Sequence, residues 1–223
     1  MKSLRISLIL ILVLVAGHFA KSKSGQPQSN AADTPVANVN IEAKNINQAL
    51  AQIAYKYNVP ISLEAAADED LLKSKRVTVQ VTSGKIANVL DRIVQQKPEY
   101  TWEANESGVR VFPRSDFRDS LLQTVLELRI GRFVLPKRSA KLTFRQTLAG
   151  SPELKRLLAS YGVKASNEAF SQYDIAPFGD DFSLNVENTT VRSILDRIIK
   201  DSPTKYWFIK RDGENKEYLL INF

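Results

Sequence analysis

Residues 77–102 read VTVQVTSGKIANVLDRIVQQKPEYTW, and the same pattern returns 105 positions later, in residues 182–207, as FSLNVENTTVRSILDRIIKDSPTKYW. Each copy opens with apolar residues that alternate with polar ones, which predicts a strand with one buried face. Each continues with apolar residues at i, i+3, i+4, i+7 and i+8, which predicts an amphipathic helix. Ser83 and Asn188 are the predicted N-caps of these helices. The two stretches align without a gap, so we interpret them as a duplication.

A second pair of matched stretches lies upstream, where residues 48–65 correspond to residues 152–169 at an offset of 104. Both predict a helix followed by a short strand. Between the two units, residues 126–135 predict a long strand and residues 139–149 a short extra helix. The predicted fold is α+β, with two tandem units that each run β-α-β-β-α-β-β and pack two helices on small sheets.

The composition excludes several classes of site. The chain has 223 residues and no Cys, and its only His is His18. Thiolate metal sites, disulfides and most catalytic triads are therefore excluded, and we expect no catalytic residues, no metal and no cofactor. The net charge of +7 is unevenly spread and does not form a dense basic face throughout the chain, so we expect no nucleic-acid partner.

The amino terminus is typical of an export signal. Residues 1–20 combine Lys2 and Arg5 with an apolar run over residues 6–16, which is too short to span a bilayer. Residues 21–37 are polar and predict a flexible tether. The predicted domains are residues 38–114 and 115–223, in a mature chain without a transmembrane span. We expect a periplasmic, outer-membrane-associated or secreted protein, and an uncleaved amino-terminal anchor is the alternative.

The apolar positions of the first unit also match a known family pattern. They are Ile41, Ile46, Ala49, Leu50, Ile53, Ala54, Val59, Val77, Val79, Val81, Ile86, Val89, Leu90, Ile93, Tyr100 and Trp102. In this pattern the unit resembles the secretin and TonB short N-terminal (STN) domain, and the second unit resembles a divergent copy. The resemblance implies a non-enzymatic periplasmic module that docks or signals through protein contacts. We expect a tandem pair of STN-like units without a barrel or secretin region.

The most unusual run of charge is residues 129–145, RIGRFVLPKRSAKLTFR, which contains no acid. Such a run can attract an acidic partner, lipid head groups or the anionic cell wall. It can also be the solvated edge of a strand, where Lys and Arg block unwanted pairing. The candidate partner-binding residues are Arg129, Arg132, Lys137, Arg138, Lys141 and Arg145.

Several other polar residues have an ordinary interpretation. The acidic cluster of Glu64, Asp68, Glu69 and Asp70 is typical of a solvated turn. Asp91 and Asp196 lie off the apolar stripes of their helices and are predicted to face outward, and Trp102 and Trp207 are predicted to pack in the core.

Three functions remain open. The first is an adaptor that binds an envelope protein through exposed strand edges or through the basic run. The second is a carbohydrate- or cell-wall-binding module with a groove lined by Tyr161, Tyr173, Tyr206 or Trp207. The third is a hydrolase built on Asp180 and Asp181, which requires a concave pocket that holds two carboxylates with shifted pKa values.

Overall fold

The first half of the chain folds into the predicted order of elements. The computed structural model describes residues 30–67, 75–165 and 177–223. The elements of the first unit are β1 (Pro35–Ala43), α1 (Ile46–Tyr57), β2 (Ile61–Glu64), β3 (Val77–Lys85), α2 (Ile86–Gln96), β4 (Tyr100–Asn105) and β5 (Gly108–Pro113). A turn of 3-10 helix (Ala31–Asp33) precedes β1.

The second half repeats this order with two additional helices. Its elements are α3 (Ser120–Glu127), β6 (Arg129–Leu135), α4 (Lys141–Gly150), α5 (Pro152–Ser160), β7 (Lys164–Ala165), β8 (Leu184–Thr190), α6 (Val191–Asp201), β9 (Tyr206–Asp212) and β10 (Tyr218–Asn222). The additional helices are α3, which precedes the first strand, and α4. The predicted α+β class and the repeated order of elements are confirmed.

Strand pairing repeats along with the order of the elements. β1 pairs antiparallel with β3, as β6 does with β8. β4 pairs antiparallel with β5, as β9 does with β10. β2 pairs parallel with β5, as β7 does with β10. The duplication seen in the sequence is therefore also a duplication of strand topology.

One strand prediction and two cap predictions are wrong. Residues 126–128 do not belong to a strand, because α3 extends to Glu127 and Asp119 caps its amino terminus by accepting hydrogen bonds from Leu121 and Leu122 N–H. The helices α2 and α6 begin two residues later than predicted, after Lys85 and Thr190. Ser83 and Asn188 lie in the preceding strands instead, since pairing with β1 and β6 extends each strand to the start of its helix.

The prediction of a flexible tether over residues 21–37 is wrong for residues 31–37, and residues 21–29 lie outside the described residues. Ala32 and Val36 are buried in the first core, so the 3-10 turn and the first residues of β1 belong to the folded unit. The export signal predicted for residues 1–20 lies outside the described residues. Within the part of the chain that the structure describes, no helix is long and apolar enough to cross a membrane.

The two units are joined through one sheet while each keeps its own core. The sheet has six strands in the order β4-β5-β2-β9-β10-β7, and the central pair β2–β9 connects the units. One apolar cluster lies mainly among the elements of the first unit, and a second among those of the second unit. Neighbouring residues of β9 divide between them, since Tyr206 packs in the first cluster and Trp207 in the second.

Candidate protein-binding surface

The joint between the units is a strand of one unit added to the sheet of the other. β2 runs parallel to β9, and Ile61 pairs with Tyr206. The Ile61 N–H donates to the Lys205 carbonyl at 2.9 Å, and the Ala65 N–H donates to the Ile209 carbonyl at 3.0 Å. All four residues of β2 are buried. Within this chain, a strand of the first unit is therefore added to a sheet edge of the second unit.

A buried ion cluster closes the end of this joint. Glu64, the last residue of β2, is 0% exposed. Its carboxylate accepts hydrogen bonds from Arg110 Nε at 2.7 Å, from Gln123 Nε2 at 2.6 Å and from Arg192 Nη1. Glu127 accepts a further bond from Arg192 Nε at 2.9 Å. Because Gln123 and Arg192 belong to the second unit, the cluster ties β2 to α3 and α6.

The electrostatics of Glu64 follow from this enclosure. Burial by itself would raise the pKa of Glu64, but the charges of Arg192 and Arg110 and the hydrogen bonds from Arg110 and Gln123 together lower it below its ordinary value. Glu64 is therefore a buried carboxylate held ionised by two guanidinium groups. The prediction that it belongs to a solvated turn is wrong, while the other members of that cluster, Asp68, Glu69 and Asp70, lie outside the described residues.

A hydrogen bond between an aspartate and a tryptophan occurs in both units. Trp207 Nε1 donates to Asp196 Oδ1 at 3.0 Å, and Trp102 Nε1 donates to Asp91 Oδ1 at 2.9 Å. The Asp91 side chain is exposed, as predicted. The Asp196 side chain is not exposed, because the first unit covers it, so the prediction that it faces outward is wrong. This burial raises the pKa of Asp196 to about 6, although the hydrogen bond from Trp207 and the charges of Arg192 and Arg110 lower it.

β4 is the counterpart of β9 and lies at an edge of the six-stranded sheet. The Arg114 N–H donates to the Glu99 carbonyl at 2.8 Å, which fixes the alternation along the β4–β5 pair. The backbone N–H and C=O groups of Trp102 and Ala104 therefore point away from β5. Their counterparts at the offset of 105, Trp207 and Ile209, are residues of β9 that face β2. Among the described strands, none pairs with β4 on that side.

The basic run is divided among three elements. Arg129 and Arg132 lie on the exposed side of β6, where Arg132 pairs across the strands with Glu187. Lys137 and Arg138 follow in a loop and form exposed ion pairs with Asp181 at 3.3 Å and with Asp180 at 3.7 Å. The remaining two residues, Lys141 and Arg145, lie on α4. Nearby acids thus offset part of a charge that looked uncompensated along the sequence.

The features expected of the two alternative functions do not converge on one site. Tyr206 and Trp207 are buried, Tyr161 is exposed at the end of α5, and Tyr173 lies outside the described residues. Asp180 and Asp181 are exposed partners of basic residues. The cavity beside Asp196 has a volume of about 10 Å³, which is room for a single water molecule.

Metals and known relatives offer no further guide to the site. In residues 30–67, 75–165 and 177–223, no group of three or more His, Cys, Asp or Glu side chains is placed to hold a metal ion. No family model, curated protein or solved structure matches this chain. A proposal about function therefore rests on the geometry of the β4 edge.

Sequence reasoning missed the two residues that define the joint, Glu64 and Asp196. A signal for Glu64 was present in the sequence, because it ends the short apolar strand ISLE, where a charge has to find a partner. Its partner Arg192 is 128 residues away, so no local pattern could connect them.

Proposed function

We propose that this chain is an exported, non-enzymatic docking protein of the bacterial cell envelope that binds a protein partner by strand addition at the edge of β4. The observation that carries the proposal is the equivalence of β4 and β9. The edge of β9 receives β2 within the chain, and the same backbone groups of β4 are directed outward. The resemblance to STN domains supports an envelope location, and the predicted export signal agrees with it.

The chemistry of the described residues supports a binding role over an enzymatic one. The two carboxylates with opposite pKa shifts, Glu64 and Asp196, lie in the joint between the units. Glu64 is fully buried, and the space beside Asp196 is too small for a substrate. Their surroundings indicate that they hold the two units together.

A crosslinking pull-down from the native envelope tests the proposal with two variants. The first, Ala104→Pro, removes one N–H from the open edge and leaves the β4–β5 hydrogen bonds intact, because proline is tolerated where the N–H points away from the sheet. The second reverses charge in the basic run by replacing Arg129, Arg132, Lys137 and Arg138 with Glu.

We expect wild type to retain a defined partner, Ala104→Pro to lose it and the charge-reversal variant to keep it. Loss in the charge-reversal variant with retention in Ala104→Pro would assign docking to the basic run. Retention on purified cell wall without any protein partner would replace protein docking with wall binding. Far-UV circular dichroism of each variant controls for folding.

A further inference from the structure

Glu103 is the residue at which the edge of β4 differs in character from the occupied edge of β9. It lies between the two residues whose backbone groups point outward, Trp102 and Ala104, and its side chain is 49% exposed. At the offset of 105 its counterpart is Phe208, which packs against the first apolar cluster and pairs with Leu63 of β2. The strand received by β9 therefore meets an apolar side chain at the position where a strand received by β4 meets a carboxylate.

The charge of Glu103 is only partly compensated within its own ion cluster. Arg110 Nη1 donates to Glu103 Oε1 at 3.1 Å, but Arg110 Nε donates to Glu64 Oε1 at 2.7 Å. Arg192 likewise donates to both Glu64 and Glu127. Three carboxylates thus share two guanidinium groups, and Glu103 is the carboxylate at the β4 edge. A basic residue placed opposite it by an added strand would balance the cluster.

The other face of β4 is flanked by a second carboxylate. Asp91 of α2 is exposed and accepts a hydrogen bond from Trp102 Nε1 at 2.9 Å. Its counterpart Asp196 lies one turn of helix after Arg192 in α6, but Ala87 occupies the position of Arg192 in α2. An added strand therefore meets a carboxylate on either face of the β4 edge.

A second copy of this chain is a poor fit to this edge. Antiparallel pairing of two β4 strands that bonds both outward-facing residues places Trp102 opposite Ala104 of the second copy, and Glu103 directly opposite Glu103. Like charges that are directly opposite in neighbouring strands are destabilising. A charged side chain on an edge strand is also a known means of preventing such self-association. The edge is therefore suited to a different protein whose charge is opposite.

We propose that the strand received by β4 belongs to another protein and carries Lys or Arg opposite Glu103. This inference rests on the proposed function and specifies the chemistry of the partner. It applies to a parallel or an antiparallel strand, since either places one residue opposite Glu103. Because the Glu103 side chain is half-exposed, the attraction weakens as the ionic strength rises.

The strand that docks within this chain supplies the probes for a test. Two synthetic peptides have the sequence of residues 59–66, VPISLEAA, with Glu64→Thr in both. One carries Leu63→Lys and the other Leu63→Glu, so the two differ only at the position that pairs opposite Glu103. Binding to the full chain is followed by NMR, through the backbone amide signals of Trp102 and Ala104.

We expect the peptide with Lys to bind roughly threefold to tenfold more tightly than the peptide with Glu, because attraction in one case and repulsion in the other act across the strands. Glu103→Lys should reverse this order. If Glu103→Lys fails to fold, Glu103→Gln must remove most of the difference. The matched control Glu106→Lys makes the same change of charge in the turn between β4 and β5 and should leave the order unchanged.

Other results overturn the inference and separate its failure from that of the proposed function. Equal binding of the two peptides, or the same reversal in Glu106→Lys as in Glu103→Lys, would show that Glu103 does not select the partner. Shifts of the Trp102 and Ala104 signals in that case would leave strand addition standing. If neither peptide shifts these two signals, the β4 edge does not receive a strand, and the proposed function fails together with the inference.

Discussion

Replacing Asp196 with Asn is expected to stabilise the protein at neutral and alkaline pH. Asn keeps the shape of the side chain and the oxygen that accepts from Trp207 Nε1 at 3.0 Å. It removes a charge that burial disfavours. Two effects oppose each other here, because Arg192 and Arg110 attract the carboxylate while desolvation penalises it, and the raised pKa indicates that desolvation is the larger effect.

The sign and size follow from proton linkage. A carboxyl whose pKa is raised on folding, from 3.8 to about 6, penalises the folded state when it is ionised. The penalty is absent below pH 3.8, grows between these two values and is complete above pH 6. At about 1.36 kcal/mol per pKa unit, the difference corresponds to at most roughly 3 kcal/mol. Relaxation of the surroundings reduces this figure, so we expect a gain of about 1–3 kcal/mol.

Urea unfolding, followed by far-UV circular dichroism from pH 4 to pH 8, measures this effect. We expect the difference between Asp196→Asn and wild type to be full at pH 8 and to vanish toward pH 4. The matched control is Asp91→Asn, which alters the equivalent hydrogen bond at an exposed site and should change stability by less than about 0.5 kcal/mol at either pH. If Asp196→Asn is less stable than wild type at pH 8, attraction to the two arginines outweighs desolvation, and the reasoning is wrong.

Two further substitutions test the two sides of β2, the first facing the second unit and the second facing β5. Glu64→Gln leaves Arg110 and Arg192 without their shared carboxylate, and urea unfolding should show that the free energy of unfolding falls by about 3–5 kcal/mol. The control is Glu103→Gln, at a half-exposed partner of Arg110, which should lower it by about 0–1 kcal/mol. Equal losses in the two variants would contradict the central role of Glu64. Gly108→Ala would place a Cβ 2.4 Å from the Pro60 carbonyl oxygen, at a residue with a φ of +138°, so the thermal midpoint of unfolding should fall. In the control Gly150→Ala the added Cβ meets no atom within 4 Å, so the midpoint should stay unchanged or rise.

The sequence predicted those parts of the fold that depend on local periodicity. The apolar stripes of α2 and α6 and the alternation in β3 and β8 recur at a fixed offset, so each copy supported the interpretation of the other. The misassigned region had no such support. Nine of the fifteen residues from 121 to 135 are apolar, and the spacing of Leu121, Leu122, Val125 and Leu126, which indicates a helix, merged with the strand that follows.

The joint could not be predicted, because it is formed where the two units differ. Arg192 replaces Ala87 of the first unit, and α3, which supplies Gln123, is represented there by a single 3-10 turn (Ala31–Asp33). The edge of β9, by contrast, is formed by backbone groups that β4 shares. The repeat thus preserves the same orientation of backbone groups in β4 and β9, while Arg192 and Gln123, which hold the buried Glu64, occur in the second unit. The edge of β9 is therefore occupied and fixed by a salt-bridge cluster, while the equivalent edge of β4 lacks that cluster, which is the arrangement that the proposed docking function requires.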